Sequence, residues 1–335
     1  IKDGDYLGAG DFNGTTTTNV GRFIPANFLV SANTPSFQTA CSAGSFTYMG
    51  QPFVYATAPV LSVTARALGG TTTKNYTGAF FKLTNASINS RTYTVNSGTL
   101  DQSGLPATSV DPAILDLTNG LASLTFSAGT GLAIQRTTPT APFNAQISLS
   151  INVADTDGVV PATNPQSFSN IAFTNGNEQR YGRIAFRNAV GSELLNLPLP
   201  MHAEYFINTT SGFIQNTNDT CTTGMTLAFT NYGGNLKAGE TCLLDTGSPG
   251  VSGLGCSTAG PVGQRFQMPP TNGDFIAILK APGAGNNGTV TLTTTVPTWL
   301  QFDWNTSNPG LENPSGVATF GVFQGESKRI FQIEK

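Results

Sequence analysis

At 335 residues the chain is long enough for one large or two ordinary domains, and its 38 Gly, 20 Pro and 22 Phe stand beside only 10% charged residues, where soluble domains average roughly 25%. The formal net charge of −3 comes with 16 scattered Lys and Arg, which argues against a nucleic-acid partner. No run approaches the ~18 consecutive apolar residues that would span a bilayer, so a membrane-spanning chain is not expected. Because it begins at Ile1, the chain is read as a processed product or an excised part.

The opening IKDGDYLGAGDFNG sets Asp3, Asp5 and Asp11 among glycines. Oxygen-rich turns of this kind are candidate calcium ligands, but the regular spacing and closing Glu of an EF-hand loop are missing, and a polar turn is the plain reading. No other cofactor is indicated. Farther on, Phe46, Tyr48, Phe53 and Tyr55 read first as core filling between two sheets and second as a platform for sugar rings, with Tyr48 a candidate binding residue. Leu61, Val63, Ala65 and Ala67 alternate with polar residues up to a Gly69-Gly70 turn, as a half-buried strand does. Asp111 to Asn119 is the best helical candidate, and a short one. Ile147, Leu149, Ile151 and Val153 give the cleanest alternation in the chain, and Asp155 and Asp157 after them read as a turn.

The segment RYGRIAFRNAVGSELLNLPLPMHAEYF, residues 180–206, reads as a strand, a turn at Val190-Gly191-Ser192 and a longer strand. That longer strand presents Leu195, Leu197, Leu199, Met201, Ala203 and Tyr205 to one face. Pro198 and Pro200 lack N–H donors, which points to a sheet edge or a bulge. His202 is the one histidine, it lies within this strand, and no nucleophile motif accompanies it, so the chain is not expected to be an enzyme. Trp299 and Trp304 are further candidate binding residues and, five apart, would face opposite sides of a regular strand. ATFGVF, residues 318–323, and RIFQIEK, residues 329–335, read as a terminal hairpin.

Cys41, Cys221, Cys242 and Cys256 show no CxxC spacing and no neighbouring histidine, which speaks for disulfides in an oxidising compartment over a zinc site. Three connectivities are open; one of them closes the Gly-rich loop between Cys242 and Cys256 locally and leaves Cys41 to Cys221. With strand patterns throughout, the expected fold is all-β: tandem immunoglobulin-like β-sandwich domains with long Gly/Thr/Asn-rich loops, divided as residues 1–178 and 179–335 with the disulfide-bearing loops in the second.

Several motifs occur together and in order: GRFIPANF, FTYMGQPF, TKNYTG, the 180–206 segment, NDTCT, WLQFDW and NPSGVATFGVFQG. From about residue 20 onward this series resembles the C-terminal region of MshQ-type proteins, which belong to the MSHA (mannose-sensitive haemagglutinin) type IV pilus biogenesis system of Gram-negative bacteria. The resemblance implies a secreted or cell-surface, pilus-associated protein with a structural or adhesive role, and pilin or other envelope proteins as its partners. In the resemblance a cysteine following GRFIPANF matches Cys41 and the NDTCT motif carries Cys221, which adds support to pairing those two. The family offers no catalytic residues to carry over. A carbohydrate-binding module using Trp299, Trp304 or Tyr48 on surface glycans is the alternative, and a glycoside hydrolase, which needs two carboxylates set across a cleft, is the lesser one.

Overall fold

The computed structural model describes residues 24–244, 255–256, 266–305 and 310–321. The protein is all-β, and its first half is a sandwich of two sheets. One is the antiparallel series Asn27–Ala32, Val60–Arg66, Leu121–Thr125 and Ala113–Asp116. The other runs Tyr55–Thr57, Ser36–Phe37, Gln166–Phe173, Ile147–Val153 and Ile88–Val95. Period-2 alternation puts Leu61, Val63 and Ala65 of the first sheet and Ile147, Leu149, Ile151 and Val153 of the second onto facing inner surfaces, where all are buried with Phe28, Phe37, Leu124 and Phe126.

The segment expected to be helical is a strand. Ala113–Asp116 pairs antiparallel with Leu121–Thr125, with Ile114 opposite Leu124. Thr118, Asn119 and Gly120, all at positive φ, form the tight turn between them. Cross-strand burial of Ile114 outweighs a helical preference spread over so few residues.

The second half is likewise built of sheets around one core. Ala189–Gly191, Ser315–Phe320, Gly288–Thr295 and Thr226–Gly234 form one sheet; Leu197–Pro198, Ile278–Leu279, Leu243–Leu244 and Gly255–Cys256 form another; Gly182–Phe186, Met201–Asn208 and Gly212–Gln215 form a third. Inward alternation holds from Leu197 through Leu199, Met201 and Ala203, all buried, but Leu195 is 68% exposed. The turn lies later than expected: Val190 and Gly191 pair parallel with Thr319 and Phe320, and the chain reverses at Ser192 to Leu195, where the Leu195 N–H donates to the Ser192 carbonyl. Pro198 sits on an edge strand of its sheet, where a missing N–H costs no ladder bond. Ser315–Phe320 has the Gly288–Thr295 strand on one side and Ala189–Gly191 on the other; residues 329–335, the other arm of the expected hairpin, lie outside the described residues.

The two halves exchange side chains. Phe46–Tyr48 pairs parallel with Glu178–Arg180, which pairs antiparallel with Phe143–Asn144 on its other side. Cys41, Phe46 and Tyr48, early in the chain, are buried in the second core. Conversely Tyr181 is buried in the first core, with Phe206, Phe213 and Phe302 packed against it.

Candidate functional site

Where the halves meet, a buried polar network is built around Asp219. Its Oδ1 accepts from the backbone N–H groups of Cys221 and Thr222 at 3.0 and 2.9 Å, a turn geometry natural to aspartate. Its Oδ2 accepts from the Tyr48 hydroxyl at 2.8 Å and the Thr222 hydroxyl at 2.5 Å. Asn216 Nδ2 donates to the Tyr48 oxygen at 2.8 Å, and Arg180 donates to Asn216 and Asn218 while lying over the Phe46 and Tyr205 rings. Burial first, then the Asp219 carboxylate, holds the Tyr48 hydroxyl well above the usual phenol range. Beside this network Cys41 and Cys221 form a disulfide with a Cα–Cα distance of 5.5 Å. Tyr48, a sequence candidate for binding, is 2% exposed and offers no face to a ligand. Trp299, half-buried in a 3-10 turn at Thr298–Leu300, lines a crevice of about 60 Å³ with Tyr48, Gln51 and the disulfide, about the space of two waters.

Trp304 lies elsewhere. It is 39% exposed and ends a row of rings in which Tyr181 meets Phe213, Phe213 meets Phe302 and Phe302 meets Trp304, each edge to face. The Arg183 guanidinium lies over Phe213, Phe302 and Trp304 with its carbon 3.7, 4.7 and 4.8 Å from the ring centroids. Glu204, directly across the strand pair, fixes that guanidinium through 2.9 and 2.8 Å bonds to Nε and Nη2. The arrangement combines cation–π attraction with a charge-assisted hydrogen-bond fork. His202 points to Asp274, with Nδ1 to Oδ1 at 3.9 Å, beyond hydrogen-bonding range.

A concave site with converging polar groups lies in the first sandwich, where the chain crosses from one sheet to the other between Thr57 and Val60. It is a cleft of about 430 Å³. Val54, Ala58, Pro106, Val110, Phe126 and Ala128 supply apolar walls, and Tyr55 and Asp111 supply the polar floor. Asp111 is buried; it pairs with the equally buried Arg91, and its Oδ1 accepts from the Ser127 N–H at 2.8 Å. Arg91 also donates to the Pro106 carbonyl at 3.0 Å. The Tyr55 and Tyr93 hydroxyls are 2.7 Å apart. Desolvation raises the pKa of Asp111 against the lowering effect of Ser127 and Arg91, and raises both phenols. Pockets of this size, apolar with a few polar groups of shifted pKa, are the usual form of a ligand site. In the sequence Tyr55 reads first as core filling and second as part of a platform for sugar rings, and nothing there singles out Arg91, Tyr93 or Asp111, because pairing distant in sequence is what gathers residues 55, 91, 93 and 111.

Asp3, Asp5 and Asp11, the candidate calcium ligands, lie outside the described residues, and among the described residues no three His, Cys, Asp or Glu side chains are grouped to hold a metal ion. Cys242 is disulfide-bonded; the backbone of Gly255–Cys256 runs parallel beside Leu243–Leu244, while the Cys256 side chain is outside the described set. Among the described residues, no helix is long and apolar enough to cross a membrane.

No curated protein matches the chain. Among solved structures, the adhesin InvE of Yersinia pseudotuberculosis is similar over 88% of this chain at 17% identity and a TM-score of 0.27. The chain spans 59% of that adhesin's length, and a likeness this distant carries no argument about function. Family models account for the sequence from end to end. Residues 1–179 match the third domain of DUF6701 and residues 180–335 its fourth, so the two models meet within the very strand, Glu178–Arg180, that joins the two cores, and the chain belongs to the DUF6701 family.

Proposed function

We propose that the chain is a structural and adhesive module of a Gram-negative cell surface, displayed with an MSHA-like type IV pilus, and that it acts by binding proteins or surfaces rather than by catalysis. The observation that carries this reading is the junction. A disulfide between residues 180 apart in sequence, a strand from one half paired into the other, and a buried network around Asp219 tie two sandwiches together. A module that transmits force between a filament and its target gains from such a coupling, and disulfides persist in the oxidising space outside the cytoplasm. The ordered motif resemblance to MshQ-type proteins supports the pilus association.

Loops and sheet edges then supply the contact surface, by strand addition or by aromatic anchors. Shearing pili from cells and probing the filament fraction with antibody to this chain tests the assignment: co-purification is expected, and retention of all the protein in the cytoplasmic fraction overturns it. Trp304 favours a second reading, as a glycan contact, because its ring is partly exposed and rigidly backed by Phe302 and Arg183. Loss of cell or glycan-array binding in Trp304→Ala with unchanged folding is the result expected under that reading.

A further inference from the structure

We propose that the cleft between Tyr55 and Asp111 is a saccharide subsite that accepts the acetamido group of an N-acetylated amino sugar. The hydrogen-bond account of its floor leads to that chemistry. Tyr55 and Tyr93 share one proton between their oxygens, and two phenols bring two. Either oxygen can be the donor in that bond; Tyr93 is buried while Tyr55 is partly exposed and lines the cleft, and with Tyr93 taken as the donor the Tyr55 O–H is left for a ligand. Asp111 receives one donor on each oxygen, Ser127 N–H and Arg91, and a carboxylate accepts about four. The floor therefore presents one free donor and one acceptor of spare capacity inside walls of valine, alanine, proline and phenylalanine.

A secondary amide with a methyl group matches all three features. Its carbonyl accepts from Tyr55, its N–H donates to Asp111, and its methyl lies against Val54, Ala58 and Ala128. A hexose with a hydroxyl in place of the amide leaves the apolar walls against a polar group, and an amino sugar without the acetyl group brings an ammonium into them; both are disfavoured by desolvation. The mouth is open, since Val110 on its rim is 69% exposed.

The test is saturation-transfer NMR and titration of the full chain with N-acetylglucosamine, glucose and glucosamine as probes. Binding of N-acetylglucosamine with strongest transfer to its acetyl methyl is expected, with glucose and glucosamine weaker by about tenfold or more. Tyr55→Phe is expected to weaken binding about tenfold, and Val110→Trp, at an exposed position that leaves the core untouched, to abolish it with an unchanged melting temperature. Trp304→Ala is expected to leave it unchanged. Equal response to glucose and N-acetylglucosamine, binding that survives Val110→Trp, loss of binding in Trp304→Ala, or no binding at concentrations on the order of tens of millimolar each overturns the proposal. None of these outcomes depends on pilus association, which the shearing experiment tests separately.

Discussion

Asp219 is fully buried and accepts four hydrogen bonds, from two backbone N–H groups and the hydroxyls of Tyr48 and Thr222. A buried carboxylate is tolerable only when its acceptors are used in this way. Tyr48→Phe keeps the ring in the core and deletes one donor, so it is expected to lower stability by ~1–3 kcal/mol in denaturant unfolding; wild-type stability would mean that a water substitutes at no cost. Gly182 meets the same ring from the other side. A Cβ there would overlap two carbons of the Tyr48 ring and crowd Leu300 at 3.0 Å, both packed in the core, so Gly182→Ala is expected to cost ~1–3 kcal/mol or more although its backbone is not left-handed. The tyrosines also set an alkaline limit. The pKa values of Tyr48, Tyr55, Tyr76, Tyr93, Tyr181 and Tyr232 are all raised above the ordinary phenol value of about 10, in each case chiefly by desolvation. With folded pKa values above the unfolded one, their contribution to stability is fully present below pH 10 and is lost as pH rises beyond it, because the unfolded chain releases protons that the folded chain retains. Tyrosinate absorbance should therefore rise together with loss of the β-sheet circular dichroism signal, and a tyrosinate signal that develops fully with the fold intact would contradict the burial.

At the scale of strands, burial of a single face decides which residues matter. Leu149 is buried at the centre of the Ile147–Val153 strand, between Tyr93 on one neighbour and Phe168 on the other. Leu149→Ala is expected to cost ~2–5 kcal/mol, whereas Ser150→Ala, on the opposite face, should stay within about 0.5 kcal/mol; equal effects on denaturant midpoints would mean that the strand is buried on both faces. This strand was legible in the sequence because one wet face and one dry face leave a period of two in the residues themselves. Leu61, Val63 and Ala65 were legible for the same reason. Ala113–Asp116 was not: with Ala113 and Leu115 exposed, four residues carry too little alternation to outweigh a local helical preference. Val190 was read as turn because the parallel partner that makes it a strand lies about 130 residues away at Thr319. The cleft was hidden for a related reason. Nothing in the spacing of Tyr55, Arg91, Tyr93 and Asp111 announces a site, and only the sheet pairings bring them together. Tyr48 and Trp304 show both outcomes for single aromatics: one was core, as the first reading of its cluster had it, and the other lies partly in solvent.

The whole molecule is less divisible than its family description. The models part between residues 179 and 180, yet Cys41, Phe46 and Tyr48 complete the core of the later part. Residues 180–335 alone would expose the surface that Phe46 and Tyr48 cover, leave Asp219 without its Tyr48 donor, and place Cys221 without its partner. That fragment is expected to be poorly folded, with broad amide proton signals and no cooperative thermal transition, while the full chain unfolds cooperatively. The disulfide and the packing are separable within this picture. Closing a loop with a sequence separation of 180 restricts the unfolded chain by ~5 kcal/mol in the chain-entropy model, an amount comparable to the entire stability of many domains. Cys41→Ser/Cys221→Ser should therefore lower the unfolding free energy by up to that amount. The strand pairing of Phe46–Tyr48 with Glu178–Arg180 and the Asp219 network should still hold the halves together below the melting point. Adding Phe46→Ala removes a fully buried ring from the second core, worth ~3–5 kcal/mol by itself, and the triple variant is expected to lose the second half first. Hydrogen exchange read residue by residue distinguishes the cases: protection lost on Met201–Asn208 and Gly288–Thr295 while Ile147–Val153 stays protected is the expected pattern. A fragment of residues 180–335 that folds with native protection would show instead that the shared strand is an embellishment and that the two parts are independent.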